Sequence, residues 1–447
     1  MSGKRRTQMA AAGVALGASL AACGAGHEVV AGPSAAIPSS TPTATPTASA
    51  SPGSTPAAAM HRVAPSADAP VAATVAGINQ FAIDLYRVGA KPGDNFVFSP
   101  LSVAYAFGML RAGAKGETGD QIDKAFGFPA GVAEAFNALT KGLVTSTAPP
   151  QASPQPSANS IPAPAPPVLT IANSLFVQTG YPLEQEFLNT LGQQYGSTVR
   201  ETDFGDESAA LAAINHWADV HTAGRIKQIL EHLDPATRLA LLNAVYLKAS
   251  WTTAFDQAGE DKFRGVTKPV QMIDSDGRYG YAKGTGWQAV QLPYFGGRLA
   301  MRVVLPTGAT TPADLMTPAV LAAAGRTLPA YVNVTMPKWD FRSDLDLIPL
   351  LKTLGITDVF GPADLSGITT AEALYVDQAL HKANITVDEL GTTAAAVTAI
   401  TARAVSAVAG PTPPIIFTVD RPFVFEIVDT KTGALLFIGS VANPSAK

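Results

Sequence analysis

The chain has 447 residues, 47% hydrophobic and 15% charged, enough apolar side chain to bury a sizeable core and too much for a chain disordered throughout. Its 31 Lys and Arg against 35 Asp and Glu give a net charge of −4, with no basic block beyond Lys4-Arg5-Arg6, so the composition offers nothing to a nucleic acid. A single cysteine, Cys23, excludes an intrachain disulfide and any cysteine-based metal cluster.

The three basic residues precede an uncharged stretch, residues 9–22, rich in Ala, Gly, Val and Leu. This pattern predicts an export signal over residues 1–22, too short to span a bilayer. Its end, Leu20-Ala21-Ala22-Cys23-Gly24, resembles a bacterial lipobox, which implies that Cys23 is acylated and becomes the first residue of an anchored chain. Residues 23–70 are dominated by Ala, Ser, Thr and Pro, with no charged side chain between Glu28 and Arg62. Such a stretch cannot form a core, and its prolines keep it extended as a tether. A folded body is expected over residues 71–447. Within it, residues 144–167 carry eight prolines in 24 positions and read as an exposed insertion loop.

Along the body, Ile78, Phe81, Ile83, Leu85 and Tyr86 have the spacing of a helix face. Ser99-Pro100 opens a second helix, Ser as cap and Pro in the first turn. Residues 239–247, nearly all apolar, predict a strand covered on both faces in the middle of a large sheet. Near the C-terminus, residues 423–428 and 434–441 flank Asp429-Thr430-Lys431-Thr432-Gly433 and read as a buried hairpin. Helices early and strands late make an α+β fold.

Residues 392–419 do not suit a core, because 28 residues carry one charge, Arg403. Residues 394–409 suit an Ala-rich helix closed by Gly410-Pro411. They suit a strand equally well, with Thr392, Ala394, Ala396, Thr398, Ile400 and Ala402 on one uncharged face and Arg403 on the other. No proline interrupts residues 392–410, so a strand ladder there would lose no donor.

The run Val387-Asp388-Glu389-Leu390-Gly391-Thr392-Thr393-Ala394-Ala395-Ala396 resembles the hinge of the serpins. The likeness extends through Asn95-Phe96-Val97-Phe98-Ser99-Pro100-Leu101-Ser102, Gly113-Ala114-Lys115-Gly116-Glu117-Thr118, Ile171-Ala172-Asn173-Ser174-Leu175-Phe176, Leu242-Asn243-Ala244-Val245-Tyr246-Leu247-Lys248 and Asp420-Arg421-Pro422-Phe423. It covers the chain from about Val71 onward. It implies a serpin fold: early helices, a large central mixed sheet, smaller sheets and an exposed reactive loop at residues 391–414. It also implies a suicide-substrate inhibitor, not an enzyme. A serine protease cleaves the loop, becomes acylated, and is trapped as the loop inserts into the central sheet.

Residue by residue, the resemblance implies a hinge at Glu389, Gly391, Thr392, Ala394, Ala395, Ala396 and Thr398. It implies a sheet-opening cluster of Ser99, Ser102, Asn243 and His381, with Trp251 and a Lys338–Glu389 ion pair where the loop meets the sheet. The family's spacing sets the scissile bond at Val405-Ser406, which suits elastase-like or subtilisin-like pockets. The alternative, Arg403-Ala404, suits trypsin-like enzymes. Thr393 and Val397 depart from the family's usual residues, and Gly410-Pro411-Thr412-Pro413-Pro414 makes the loop longer than usual. The implied partners are a serine protease and, through Cys23, membrane lipid at the outer face of a bacterial membrane, the protein acting as a monomer. No cofactor or metal is implied. An enzyme reading finds no Gly-x-Ser-x-Gly, no His-Glu-x-x-His and no phosphate loop. A non-inhibitory serpin, acting as a surface binding or carrier protein, is the rival reading.

Overall fold

The computed structural model describes residues 62–143, 163–197, 199–234, 237–392 and 414–447. The export signal, Cys23, nearly all of the tether, residues 144–162 of the Pro-rich insertion and residues 393–413 of the reactive loop lie outside the described residues.

The first helix, Val71–Gly89, buries Ile78, Phe81, Ile83, Leu85 and Tyr86 on one face, as their spacing predicts. In the second, Pro100–Arg111, Ser99 caps the N-terminus by accepting from the Ser102 amide, and Pro100 occupies the first turn. Every residue of that helix from Pro100 to Leu110 is buried. It is a core helix, and the small residues Ala104, Ala106 and Gly108 let neighbours approach on all sides. At Gly108 an added Cβ would lie 2.6 Å from the Phe136 ring.

Among the described residues, two sheets organise the rest. The first has six strands in the order Trp339–Asp346, Ala379–Val387, Gly391–Thr392, Leu239–Ser250, Val168–Gln178, Val199–Thr202. It is mixed: Val168–Gln178 runs antiparallel to Leu239–Ser250 and parallel to Val199–Thr202. The run at 239–247 is apolar on both faces because both are covered. Leu239, Leu241, Val245 and Leu247 join the main core, whereas Ala240 and Leu242 meet a second cluster built by Trp217, Ile226, Ile229 and Leu233. Helix Glu207–His221 and the segment after it supply that cover.

The second sheet has nine strands. The hairpin expected near the C-terminus is there, as Phe423–Asp429 paired with Leu435–Val441, both buried at every position. In place of several smaller sheets, the fifteen-residue strand Val270–Gly284 links its neighbours into one ladder. It pairs with Leu328–Pro337 along one stretch and with Trp287–Pro293 at its end. Early helices, a mixed six-stranded sheet and a second, larger sheet make the α+β architecture expected from the sequence. The chain leaves the first sheet at Thr392 and joins the second at Ile415, where Ile415–Thr418 pairs parallel with Leu328–Pro337.

Candidate functional site

The seam between strands Ala379–Val387 and Leu239–Ser250 is wedge-shaped. At one end the two pair directly and in parallel, Ala379 with Leu241 through Lys382 with Ala244. At the other end Gly391–Thr392 sits between them, with Thr392 opposite both Val387 and Ala249 and Gly391 opposite Ser250. The Thr392 side chain is buried there. The alternation expected of an inserted strand, the hinge residues Ala394, Ala395, Ala396 and Thr398, and both candidate bonds, Val405-Ser406 and Arg403-Ala404, lie outside the described residues.

Gly391 is required where it stands. Its φ is +154°, and a Cβ there would lie 2.0 Å from the Ala249 carbonyl oxygen and 2.9 Å from the Ser250 Cα. Only a residue without a side chain passes so close to the neighbouring backbone.

The turn before it is tied at several points. Asp388 Oδ1 accepts from the amides of Leu390 at 2.8 Å and Gly391 at 3.2 Å, while the Asp388 amide donates to the Gly391 carbonyl at 3.0 Å. The Trp251 indole N–H donates to the Asp388 carbonyl at 2.9 Å. Backbone amides of Trp251 and Phe255 donate to the carbonyls of Leu390 at 2.9 Å and Glu389 at 2.8 Å. Lys338 Nζ and Glu389 Oε1 form an ion pair at 3.0 Å. Trp251 is buried and stacks on Tyr294 with ring centres 4.6 Å apart. The Tyr294 hydroxyl in turn shares a hydrogen bond with Thr392 Oγ1 at 2.5 Å. Burial pushes the Asp388 carboxyl up to about 6, in spite of its two amide donors. Beside the turn lies a cavity of about 640 Å³, walled by Lys338, Trp339, Asp388, Glu389 and the C-terminal Ser445 and Lys447.

At the paired end of the seam, the second helix meets the sheet through a hydrogen-bonded cluster. His381 Nε2 accepts from the Ser99 amide at 3.1 Å, and Nδ1 lies 3.1 Å from Asn243 Oδ1. With Nε2 an acceptor, the proton sits on Nδ1 and the ring is neutral. Burial holds its pKa down at about 4. Asn243 Oδ1 also accepts from the Ser102 hydroxyl at 2.7 Å, and Asn243 Nδ2 donates to the Ser102 carbonyl at 2.8 Å. His381 and Asn243 stand opposite each other in the parallel pairing. The four residues are thus one network across the point where the two strands still touch, and all are buried.

Three residues at the seam escape the motif-based reading. Tyr294 lies far from the hinge in sequence, and no motif marks it. Asp388 adjoins Glu389, yet a lone Asp in a turn carries no signal of its burial. Asn173, which accepts a short hydrogen bond from Asn243, falls inside a run already noted for its likeness, without a role being attached to it. Among the described residues no cluster of His, Cys, Asp or Glu is placed to hold a metal, and no helix is long and apolar enough to cross a membrane.

Comparison with known proteins agrees with this geometry. The family model for serpins, described as serine protease inhibitors, matches residues 76–444. An uncharacterised serpin-like protein of Thermococcus kodakarensis is 34% identical over 382 residues, 83% of this chain and 85% of that protein. Neuroserpin of Homo sapiens is 32% identical over 394 residues, 82% of this chain and 91% of that protein. Among solved structures, the thermophilic serpin tengpin in its native state matches with a TM-score of 0.74 at 25% identity, covering 86% of this chain and 97% of that one. Thyroxine-binding globulin in complex with thyroxine matches with a TM-score of 0.71 at 26% identity, covering 83% and 99%. With the family model spanning nearly the whole described body and relatives above 30% identity along most of their length, the chain belongs to the serpin family.

Proposed function

We propose that this serpin is a suicide-substrate inhibitor of serine proteases, which it traps by inserting its cleaved loop between strands Ala379–Val387 and Leu239–Ser250. The carrying observation is the short strand Gly391–Thr392, already hydrogen-bonded between those two at one end of the wedge. Insertion then needs no new nucleus. It extends a ladder whose first residues are seated, past small uncharged positions at Ala394, Ala396 and Thr398 that add no desolvation cost. The network of Ser99, Ser102, Asn243 and His381 bridges the two strands where they meet, and is the point that has to part as the ladder lengthens.

Cleavage at Val405-Ser406 would select elastase-like or subtilisin-like enzymes, and cleavage at Arg403-Ala404 trypsin-like ones. Acylation of Cys23 would hold the inhibitor, as a monomer on the tether of residues 23–70, at the outer face of a bacterial membrane. The reading as a non-inhibitory surface or carrier protein draws on one observation, the likeness to thyroxine-binding globulin. Incubation of the chain lacking residues 1–22 and carrying Cys23→Ser with an elastase, a subtilisin and a trypsin separates the two. Inhibition gives a complex that survives a denaturing gel, with a released fragment beginning at Ser406 or Ala404. Cleavage without such a complex for all three enzymes favours the carrier.

A further inference from the structure

The turn that carries Gly391 into the seam holds a buried carboxyl with no cation of its own. Asp388 is 9% exposed, and its Oδ1 is taken by the uncharged amides of Leu390 and Gly391. Lys338 attracts it, but Lys338 Nζ is committed to Glu389 Oε1 at 3.0 Å, and the Glu389 carboxylate repels a second negative charge beside it. Among the described residues Asp388 has no ion-pair partner. The other walls do not balance it. Asp340 accepts from the Thr386 hydroxyl at 2.7 Å, the C-terminal segment brings Lys447 with its terminal carboxylate, and Gln257, Val270 and Gln271 are uncharged. Segment 251–255 has no ionisable side chain. Tyr294, stacked behind Trp251, is pushed far up by burial and stays neutral. His381, held down at about 4, sits at the paired end of the seam.

A carboxylate buried without a counter-ion is costly, and here the cost falls on the residues that seat the hinge. Relief is close at hand. Asp388, Glu389 and Leu390 border the cavity of about 640 Å³, and the turn is tied to its neighbour by the Trp251 and Phe255 amides, which donate to the Leu390 and Glu389 carbonyls. When Gly391–Thr392 leaves the seam, those ties part and the Asp388 carboxyl meets water.

We propose that ionisation of Asp388 drives Gly391–Thr392 out of the seam, so that the hinge is seated in mild acid and free in neutral and alkaline solution. The sign follows from linkage: a carboxyl that gives up its proton more readily in the released state favours release as pH rises. With about 6 for the seated carboxyl and 3.8 for a released one in water, the ratio of seated to released hinge falls by about tenfold between pH 5 and pH 8, nearly all of it below pH 6.5. Release also lengthens the span between the two sheets by residues 389–392, about 13 Å of extended chain. The pH then sets how far the loop extends toward a partner. The proposal holds whether that partner is a protease trapped by insertion or a molecule that is only bound.

Hydrogen exchange of the chain lacking residues 1–22, with Cys23→Ser, at pH 5, 6.5 and 8 tests it, read at the Trp251 and Phe255 amides that bond the hinge carbonyls. Protection is taken relative to unstructured peptides of the same sequence at each pH, which removes the base catalysis of exchange itself. At both amides it should fall by about tenfold from pH 5 to pH 8, with nearly all of the fall between pH 5 and pH 6.5. Asp388→Asn, which keeps an oxygen for the Leu390 and Gly391 amides, should leave protection level across the same range. Protection in the unaltered chain that is constant, that rises with pH, or that falls only above pH 6.5 overturns the proposal, and this result stands without the variant. An equal fall in Asp388→Asn overturns it too, because the titrating group is then Glu389, Asp340 or the terminal carboxylate.

Discussion

Gly391→Ala is the sharpest test of how the hinge is seated. The added methyl would meet the Ala249 carbonyl oxygen at 2.0 Å. That oxygen belongs to a central strand, held from the far side by the pairing of Leu247 with Leu169 and Lys248 with Val168, so it has little room to retreat. Overpacking of this kind costs about 1–3 kcal/mol, and a non-glycine residue at φ +154° adds about 1–3 kcal/mol of backbone strain. A combined penalty of about 3 kcal/mol falls on every state in which Gly391 lies between the strands. The intact variant sheds that penalty by letting the hinge leave the seam, so insertion has to seat the residue anew; if about half of the penalty is felt at that barrier, insertion slows by about tenfold. The acylated protease then escapes by hydrolysis more often than it is trapped. The assay is the molar ratio of inhibitor consumed to protease inactivated, with Thr392→Ser, which keeps the hydroxyl, as control. The ratio should rise by about tenfold for Gly391→Ala and stay near the parent value for Thr392→Ser. An unchanged ratio for Gly391→Ala would refute the seating of Gly391 between the strands.

Tyr294→Phe leaves the buried Thr392 hydroxyl without its partner; at about 1–2 kcal/mol, exchange of the Gly391 and Thr392 amides should quicken by about tenfold, and unchanged exchange would rule the contact out as a tie. Asn243→Leu breaks the bonds to Ser102 and His381 together and should cost about 2–4 kcal/mol in denaturant unfolding, a loss under 1 kcal/mol counting against the network. The pH response has two opposed parts. His381, with a folded pKa near 4 against the ordinary 6.5, adds stability that is fully present above 6.5 and is lost as pH falls toward 4. Asp388, raised to about 6, does the reverse: its contribution is full below 3.8 and is lost as pH rises through 6. Asp388→Asn keeps an oxygen for the Leu390 and Gly391 amides without the buried charge. It should therefore stabilise the protein by about 2 kcal/mol at pH 7.5 and by almost nothing at pH 4; an equal effect at both values would contradict the assignment.

Much of the architecture was legible from local rules. Ser99-Pro100 marked a helix start because capping is settled by adjacent residues, and the apolar run at 239–247 marked a doubly covered strand because alternation vanishes when both faces are buried. Strand count was not legible. Whether short strands fuse into one sheet depends on how far Val270–Gly284 extends and on which neighbours it meets, which are tertiary facts. At the site, the resemblance pairs Lys338 with Glu389, and they lie 3.0 Å apart. Tyr294 was invisible because one tyrosine among ten has no pattern, and its contact with Thr392 exists only once a strand has entered the seam. Asp388 is hidden for the opposite reason, since Asp in a turn is expected to be exposed and ionised.

The claim that the cleaved loop extends the strand begun at Gly391–Thr392 is tested most directly by hydrogen exchange, before and after the loop is cut. Insertion gives partners to the amides of Ala379–Val387 and Leu239–Ser250 along the wedge, beyond the stretch where the two strands already pair. After cleavage, protection should rise at residues 383–387 and 245–249 and stay level in the Phe423–Asp429 hairpin strand of the second sheet. Cleaved chain whose exchange at 383–387 and 245–249 matches that of intact chain would contradict the account.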